Sequence, residues 1–368
     1  MPVIETIPHN FDLNITIDNV YIDSWSNINI KAEVNKARVV SLTLLGREAI
    51  EFSRLGGLLE IRTGEGFDIE VPLHFKGIIK QVNPSQNSVN IVAYDFITQL
   101  ANSEYILFKN VVDNNTDVKI VGEDLYYLAA GICNYKDITV TGLTQGSGLF
   151  TKKNMSSLFG HKTRKEFLDE LFNLMITYST GADYPDFAYY NWYYAIRHGT
   201  QMDFFLPDYL NASQQPILTL KETENNIESI NATINTTRLV NSVRMVSAGD
   251  KNTFASHEDA FSIDRYGIHS RLIEKNETNK DKLKQLAVEY VNQNRFPTVT
   301  YTLKPIDAYW LDLGDLIKVE VPSLKIDDML PVVGYSTTIT DKLSTTLTLG
   351  VPSLSDKQFL DLLSLPQG

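Results

Sequence analysis

Metal-binding side chains are scattered through this 368-residue sequence instead of being grouped. Zinc and similar ions need several His, Cys, Asp or Glu ligands at short spacings, and no two of the histidines lie within five residues of each other. The run Asp113-Asn114-Asn115-Thr116-Asp117 looks like the start of a calcium loop, but Val118 stands where that loop turns on glycine and Asp124 where it has a bidentate glutamate. We therefore predict a polar loop here and no metal site. The histidines are His9, His74, His161, His198, His257 and His269.

Signatures of catalysis are missing as well. The sequence contains no phosphate-binding, zinc-protease or serine-hydrolase motif. The one cysteine, Cys133, lies among Leu128, Ala129, Ala130 and Ile132, which predicts a buried, inert thiol rather than a nucleophile. The 45 acidic residues contain no pair that the sequence alone assigns to glycoside hydrolysis. We predict no catalytic, cofactor-binding or metal-binding residue, and hence no enzyme.

An aromatic stretch spans residues 184–194 and continues at Phe204-Phe205. Aromatic rings could form a platform for sugars, with Trp192 and Tyr194 exposed in a groove. Tyr and Trp also fill cores and protein interfaces, where the ring is buried and the polar atom finds a partner. We favour core or interface, and keep the sugar platform as the alternative.

Composition and charge exclude several classes of protein. Hydrophobic residues make up 43% of the chain, as in ordinary globular proteins. The net charge of −12 argues against a basic surface for nucleic acid. No stretch approaches the ~20 apolar residues of a bilayer span, and the N-terminus has no secretory signal pattern. We expect synthesis in the cytoplasm and no membrane span.

Short strands dominate the predicted elements and must position any site. They are rich in β-branched or apolar residues and are bounded by Gly, Asn, Asp or Ser, which is typical of antiparallel sheets. The fold class predicted is β-dominated α+β. The strands predicted are 13–20, 38–45, 58–62, 88–93, 227–234, 239–246, 298–303, 315–321 and 345–349.

Two clear helices interrupt the strands. The first follows Thr163, where Glu166 completes a capping box, and the second begins near Thr278. Weaker candidates are 122–133 and a turn or two from Ser355 to Leu363. The apolar stripes are Phe167, Leu168, Leu171, Phe172 and Met175 in the first helix and Leu283, Leu286, Ala287, Tyr290 and Val291 in the second.

An internal repeat is the most informative feature. Segments 35–62 and 292–320 align with almost no drift, and a glycine opens a strand in both. A glycine at such a point marks a bulge, a bend or a close backbone approach, so the shared spacing predicts one small barrel used twice. The paired residues are Arg38 with Arg295, Thr43 with Thr300, Phe52 with Tyr309, Gly56 with Gly314, Gly77 with Gly334, Val89 with Leu347 and Ile91 with Leu349.

The repeat gives a map of the chain. We expect a first β-barrel over 1–100 and an inserted α+β domain over 101–215. A second, discontinuous barrel would combine 216–250 with 295–350. The segment 251–294 would be an insertion that carries a helix, and 351–368 a C-terminal tail.

The strand opened by Gly56-Gly57 near the N-terminus and the run Leu313-Gly314-Asp315-Leu316-Ile317 near the C-terminus carry a resemblance. In these motifs, both ends of the map resemble phage tail hub proteins. That family includes the baseplate hub of contractile-tailed phages, the N-terminal module of tail-associated lysins and the hub part of type VI secretion spike proteins. The inserted domain, 101–215, carries no motif of the family. The resemblance rests on Gly56-Gly57-Leu58-Leu59-Glu60-Ile61, Phe75-Lys76-Gly77-Ile78-Ile79, Ala93-Tyr94-Asp95, Tyr266-Gly267-Ile268, Leu313-Gly314-Asp315-Leu316-Ile317, Val332-Val333-Gly334 and Leu347-Thr348-Leu349-Gly350.

The resemblance implies a homotrimeric ring in the virion tail tip or baseplate. Three chains with two similar barrels each would present six barrels around one axis. Such a ring could join a sixfold tail tube or distal tail protein above to a threefold spike or tip protein below, beside other baseplate proteins. Residues 1–100 and 301–368 are both net acidic, so the channel is expected to pass DNA without binding it in a sequence-specific way.

Two other classes of function stay open. A tail-associated protein that binds or degrades glycans would have its site in 101–215, and a solitary adhesin would be a monomer without use for matched barrels. We expect no lysin appended at the C-terminal end, and we expect any lytic activity to belong to a partner.

Overall fold

The computed structural model describes most of the chain between residues 12 and 350. The residues described are 12–46, 51–64, 73–103, 106–107, 125–140, 161–179, 193–197, 200–205 and 216–350, apart from positions 225, 238, 276, 307, 309, 325 and 341. The predicted polar loop at 113–124, most of the aromatic stretch and the predicted turn at 355–363 lie outside these residues.

The N-terminal half-sheet is antiparallel and has the strand order β3-β4-β7-β6-β5-β1-β2. Its strands alternate buried apolar and outward polar residues, as Val40, Leu42 and Leu44 show in β4. The predicted strands 38–45, 58–62 and 88–93 are confirmed with small shifts of their ends. The predicted strand 13–20 is interrupted by a turn at Asp18-Asn19, and β3 was not predicted. The bounds are β1 Asp12–Ile17, β2 Val20–Tyr21, β3 Trp25–Glu33, β4 Val39–Leu45, β5 Leu58–Gly64, β6 Leu73–Pro84 and β7 Ser88–Tyr94.

A middle unit follows, with its own apolar core beside β5 and β6. The first predicted helix is confirmed, because Glu166 accepts the backbone N–H of Thr163 at 2.7 Å and the Thr163 hydroxyl accepts that of Glu166 at 3.3 Å. The elements are α1 Ile97–Ala101, β8 Ile106–Leu107, α2 Leu125–Cys133, β9 Thr139–Val140, β10 His161–Lys162, α3 Arg164–Ser179, β11 Tyr193–Ile196 and β12 Gln201–Phe205.

The C-terminal half-sheet is interrupted by an inserted unit of three strands and two helices. The strand predicted at 239–246 belongs to this unit and not to the second barrel, because β15 pairs with β16 and, in parallel, with β17. The second predicted helix is confirmed and buries Leu283, Ala287 and Val291. The inserted elements are β15 Ser242–Ser247, β16 Phe254–Glu258, α4 Ala260–Tyr266, β17 Ser270–Lys275 and α5 Lys280–Asn294.

The remaining strands of this half are β13 Leu218–Lys221, β14 Ile227–Asn235, β18 Thr298–Pro305, β19 Leu316–Val321, β20 Ile326–Ile339 and β21 Leu343–Gly350. They follow the order β14-β18-β21-β20-β19-β13. The first half has the corresponding order β3-β4-β7-β6-β5-β1, although β13 joins β19 in parallel where β1 joins β5 antiparallel. The two halves therefore share one ladder pattern.

Strand β3 joins β20, so the strands of both predicted barrels lie in one sheet of thirteen strands. One continuous hydrophobic core runs from Ile15 to Leu349 across both halves. The fold is β-dominated α+β, and the described residues form a large, mainly antiparallel curved sheet and three smaller sheets. Among the residues described, no helix is long and apolar enough to cross a bilayer.

The two halves share a hydrogen-bond pair at the first repeated glycine. Gly56 and Gly314 both have positive φ, +83° and +85°, which favours glycine. Gly56 donates its N–H to the carbonyl of Ile79 at 2.8 Å, and Gly314 donates to Val332 at 2.8 Å. A register shift follows directly after Ile79 in β6 and after Val332 in β20. The predicted correspondence of Gly56 with Gly314 is confirmed.

Other predicted pairs of the repeat are wrong. With Ile79 equivalent to Val332, the ladders place Ala93 level with Leu349 and Val40 level with Tyr301. Thr300 therefore corresponds to Val39 instead of Thr43, and Leu347 to Ile91 instead of Val89.

The predicted equivalence of Gly77 and Gly334 is also wrong, because the two glycines lie against different parts of the sheet. A Cβ on Gly77 would overlap the backbone carbonyl of Tyr94 in the neighbouring β7. A Cβ on Gly334 would meet the carbonyl of Ala32, 3.2 Å away in the other half. Hairpins of different length in the two halves move these positions out of register.

Candidate functional site: the junction between the two halves of the sheet

The junction is an antiparallel ladder between β3 and the C-terminal part of β20. Its register runs from Glu33 opposite Gly334 to Ile28 opposite Ile339, and Val34 extends it with an N–H bond to the carbonyl of Val333 at 3.0 Å. Ile28 and Ile30 have no exposed surface here. The junction is thus a packed part of the fold.

Arg38 lies at the end of this ladder and joins three parts of the chain. Only 5% of the residue is exposed. Its Nη2 atom lies 2.7 Å from Oδ1 of Asp312 in the second half and donates to the carbonyl of Ile196 in the middle unit at 3.0 Å. Its Nη1 atom donates to the carbonyl of His74 in β6 at 2.8 Å. The predicted equivalence of Arg38 and Arg295 in the repeat is wrong. Arg295 binds Asp259 in the inserted unit at 2.8 Å and has no role at the junction that matches that of Arg38.

Opposite charges keep this buried pair ionised. Burial alone would lower the pKa of Arg38, but the carboxylate of Asp312 raises it above its ordinary value. Burial alone would raise the pKa of Asp312, yet Arg38 and the N–H of Leu313 lower it below its ordinary value. A buried charge that loses such a partner is strongly destabilising.

The middle unit braces the junction through a second set of polar contacts. Arg197 binds Asp315 at 2.7 Å, and the other oxygen of Asp315 accepts the N–H of Asp312 at 2.7 Å. Asn35, at the turn between β3 and β4, accepts the N–H of Tyr194 through Oδ1 at 2.9 Å. Contacts of this kind fix the angle between the two halves.

Two further titratable groups, the half-buried His74 and the buried Asp95, lie beside Arg38. Burial lowers the pKa of His74 to about 4, helped by the positive charge of Arg38. Its Nε2 atom is buried without a hydrogen-bond partner, which disfavours the imidazolium. Burial raises the pKa of Asp95 to about 7, although its carboxyl accepts the N–H groups of Arg38 and Ile97.

Replacing His74 by phenylalanine is expected to remove part of the acid sensitivity of folding. The pKa of His74 is lower in the folded chain than in the unfolded chain. The stability that depends on a neutral His74 is therefore fully present above pH 6.5 and is lost as the pH falls towards 4. Because the imidazole is only partly enclosed, we expect the difference in free energy of unfolding between the two proteins to change by about 1–2 kcal/mol between pH 7 and 4. Urea unfolding at both pH values measures it.

Asp95 changes the stability with pH in the opposite direction, because its pKa is raised in the folded chain. Its contribution to stability is fully present below pH 3.8 and is lost as the pH rises towards 7. It is common to both proteins and cancels in their difference. Parallel pH profiles for wild type and His74→Phe would contradict the assignment.

The cysteine and the described histidines considered in the sequence analysis are not brought together into one site. Cys133 has no exposed surface, and burial raises the pKa of its thiol far above the ordinary value. His257 lies on β16 and His269 between α4 and β17, both in the inserted unit, while His74 lies on β6. Within the described part of the chain, no group of three or more His, Cys, Asp and Glu side chains could hold a metal ion.

The aromatic residues at the end of the stretch are core residues. Tyr194 is fully buried and packs against Phe172, with ring centroids 4.9 Å apart. Its hydroxyl lies 2.5 Å from Oδ1 of Asp169 and 2.9 Å from the carbonyl of Asn35. For Tyr194 the core interpretation is confirmed. Residues 184–192, including Trp192, lie outside the described residues.

Asp312 and Asp315 bind the two arginines of the junction, and neither aspartate was predicted as a site residue from the sequence. Their one available signal was their position beside Gly314, the confirmed point of the repeat. In the first half, the equivalent glycine is Gly56, and Arg54 lies two residues before it where Asp312 precedes Gly314. Arg54 binds Asp18 at 2.8 Å, so the charge at this position differs between the halves.

The face of the sheet opposite the core carries mainly hydroxyl and amide side chains. Alternation with the buried residues places them on this side. Asn29 donates to the hydroxyl of Thr338 at 3.1 Å across the junction, so this face is continuous from one half to the other. The residues include Asn29, Ser41, Thr43, Asn90, Asn231, Thr233, Thr302, Ser336, Thr338, Ser344, Thr346 and Thr348.

Comparisons with known proteins agree with this architecture. Residues 219–357 match the family model described as prophage endopeptidase tail. A search of curated protein sequences finds no match. The tail protein from Neisseria meningitidis MC58 has a TM-score of 0.63 and 13% identity, over 93% of this chain and 96% of that one.

Two further solved structures resemble the whole chain. The 43 kDa tail protein of prophage MuSo2 from Shewanella oneidensis has a TM-score of 0.62 and 11% identity, over 97% of this chain and 99% of that one. The E. coli c3393 protein, described as a type VI secretion component similar to T4 tail proteins gp27 and gp5, has a TM-score of 0.50 and 10% identity, over 92% and 77%. Over nearly its whole length the chain therefore has the fold of these tail proteins, and its C-terminal part matches the prophage endopeptidase tail model.

Proposed function

We propose that this chain is a structural hub subunit of a phage tail or related injection machine, and that three copies close into a ring with pseudo-sixfold symmetry. The observation that carries the proposal is the shared ladder pattern of the two halves, including the paired bonds at Gly56 and Gly314. Three chains then contribute six similar half-sheets around one axis. Such a ring offers sixfold features to a tail tube and threefold symmetry to a spike.

The junction serves this function by fixing the angle between the two halves. A ring closes only if each subunit turns the sheet by a set angle. The buried pair of Arg38 and Asp312, braced by Arg197 and Asp315, resists bending at this point. We regard the two half-sheets as the two tube domains, with the middle unit and the inserted unit outside the ring wall.

The polar face of the sheet would line the channel. Hydroxyl and amide side chains are wettable and carry no charge, so a passing DNA strand would find neither a strong attraction nor a strong barrier. Lys31 and Glu33 bring opposite charges to this face, at the junction itself. The partners proposed are a tail tube or distal tail protein above, a spike or tip protein below and other baseplate proteins, in the virion.

The mass of the assembled protein tests the proposal. Native mass spectrometry of the purified 41.6 kDa chain is expected to show a trimer whose population rises with concentration. A preparation that remains monomeric at every concentration, also with tube and spike partners present, would contradict the ring.

A second candidate function is enzymatic, because the matched family model carries the word endopeptidase in its description. Hydrolysis of cell-wall peptides or glycans by the middle unit is the form this would take. A groove of about 450 Å³ lies on the polar face at the junction, and among the described residues of its lining Glu33 is the one carboxylate. Glycoside hydrolysis uses a pair of carboxylates, so this groove gives no support to a glycan site. The shared ladder pattern of the two halves supports the ring, and we therefore favour the structural function. Release of soluble fragments from purified cell wall by the pure chain would reverse this choice.

Replacing Tyr194 by phenylalanine is expected to destabilise the chain by about 1–2 kcal/mol, because the buried hydroxyl that lies between the Asp169 carboxylate and the Asn35 carbonyl is lost. Binding of cell-wall glycan is expected to stay as in the wild type, since the ring is in the core. The stability and the glycan binding of Trp192→Ala are measured in parallel, as a comparison with a second residue of the aromatic stretch. Lost glycan binding with unchanged stability in Tyr194→Phe would favour the sugar-platform alternative.

A further inference from the structure

One end of strand β6 lacks the neighbour that its counterpart has. In the second half, the stretch from Gly334 to Thr337 in β20 pairs with β21 on one side and with β3 on the other. The equivalence of Ile79 and Val332 makes Gln81–Pro84 the matching stretch of β6. This stretch pairs with β7, and among the residues described no strand lies on its other side.

Strand β14 is the counterpart of β3 and is also an edge. β3 lies beside β4, with Ile30 opposite Val40, and β14 lies beside β18, with Ala232 opposite Tyr301. The outer side of β3 is covered by β20, whereas β14 ends the sheet within the described part of the chain. Each chain therefore has one internal junction and the two unpaired parts of a second one.

Residue types at the unpaired parts match those that the internal junction buries. Ile28, Ile30 and Ala32 of β3 are buried against β20. The ladder places Ile230, Ala232 and Ile234 of β14 at the same positions, and Ala232 is exposed. An alternating apolar edge strand exposed to water invites pairing.

The loop beside the unpaired end of β6 shows the same contrast. Leu55 directly precedes Gly56, as Leu313 precedes Gly314. Leu313 belongs to the main core with 2% of its surface exposed, whereas Leu55 is 68% exposed. Both partners of the second junction thus expose apolar surface that the first junction buries.

We infer that β14 of one copy pairs antiparallel with the Gln81–Pro84 end of β6 in a second copy, reproducing the β3–β20 ladder between chains. Transferring that register places Asn83 opposite Thr233 and Val82 opposite Ile234. The contact is head-to-tail, so it closes into a ring instead of a twofold dimer. The inference rests on the proposed ring and names the strands that would form it.

Pro84 sets the strength of this ladder. Ser85 donates its N–H to Ser88 in the β6–β7 hairpin at 2.7 Å, so alternation directs the polar groups of Asn83 towards β7 and those of Val82 and Pro84 outward. Proline has no N–H, and the outward edge offers one donor fewer than its counterpart in β20. We expect a ladder that forms in the aligned ring and discourages pairing with unrelated strands.

Disulfide trapping tests the register directly. Asn83→Cys and Thr233→Cys are placed in separate, differently tagged chains and co-expressed, so that any bond joins two chains. Native Cys133 is buried and does not interfere. Oxidation of the trimer fraction is expected to give a cross-linked pair, because directly opposite residues meet the distance that a disulfide needs. Asn83→Cys with Ser229→Cys, further along the same face of β14, is the matched control and is expected to stay uncross-linked.

The outcomes separate the strand pairing from the ring. A trimer that fails to cross-link at 83 and 233, or that cross-links at 83 and 229, overturns the pairing and leaves the ring standing. A chain that never forms trimers overturns both.

Proline substitutions on β14 provide a second measurement. Ala232→Pro removes an outward N–H and is expected to give a monomer with the unfolding temperature of the wild-type monomer. Thr233→Pro removes an N–H that faces β18 and is expected to lower the unfolding temperature clearly. A fully trimeric Ala232→Pro protein would contradict the pairing.

Discussion

Replacing Asp312 by alanine is expected to reduce the free energy of unfolding by about 3–5 kcal/mol, because it leaves the guanidinium of Arg38 buried without its counter-charge. Two carbonyl acceptors, those of His74 and Ile196, remain in place and cannot neutralise the charge. Urea unfolding of the purified chain at pH 7 measures the loss. A chain that cannot hold the angle at the junction is also expected to lose its trimer.

Two comparisons make this result specific. Glu33→Gln breaks an exposed pair with Lys36 of the same 2.7 Å length and is expected to cost less than about 1 kcal/mol. The double change Arg38→Met with Asp312→Leu removes both charges and is expected to recover most of the stability. Equal losses from Asp312→Ala and Glu33→Gln would contradict a buried, energetically important pair.

Replacing Gly77 by alanine is expected to destabilise the chain by about 3 kcal/mol or more, since the added methyl group overlaps the backbone carbonyl of Tyr94 and the ring of Phe75. A backbone carbonyl cannot turn away as a side chain can, so β6 and β7 must separate. Both strands belong to the first half of the sheet, and the variant is expected to fold poorly. Thermal unfolding followed by circular dichroism measures the change.

Gly131 provides the matched control for that substitution. It lies within helix α2, and a Cβ there meets no atom within 4 Å. Gly131→Ala is therefore expected to stabilise the chain by about 0.5–1 kcal/mol through the higher helix propensity of alanine. If Gly77→Ala were as well tolerated as Gly131→Ala, the close packing of β6 on β7 would be refuted.

The local elements were predictable because their signals are local. Alternation in β4, with Val40, Leu42 and Leu44 turned inward, is a pattern of neighbouring residues. The capping box of Thr163 and Glu166 is equally local. The glycine pair Gly56 and Gly314 was predictable because a backbone with positive φ accepts few other residues.

The contacts that join the halves were not predictable from the sequence alone. Arg38 and Asp312 are 274 residues apart, and no local pattern relates an arginine after one strand to an aspartate before another. The repeat also gave wrong equivalences beyond Gly56 and Gly314. Hairpins of unequal length shift Gly334 out of register with Gly77, although both glycines lie in strands. The long insertion between β14 and β18 likewise hid the correspondence of β14 with β3.

Electron cryomicroscopy of the tail particle that contains this chain decides whether two matched half-sheets in each of three chains build one pseudo-sixfold ring. The copies of the chain are counted, and the wall segments of the ring are superposed. We expect three copies and six wall segments, and the two segments of each chain are expected to overlay. Three copies whose sheets do not meet would overturn only the strand pairing between chains, whereas six copies in one ring, or three copies whose two wall segments do not overlay, would contradict the ring itself.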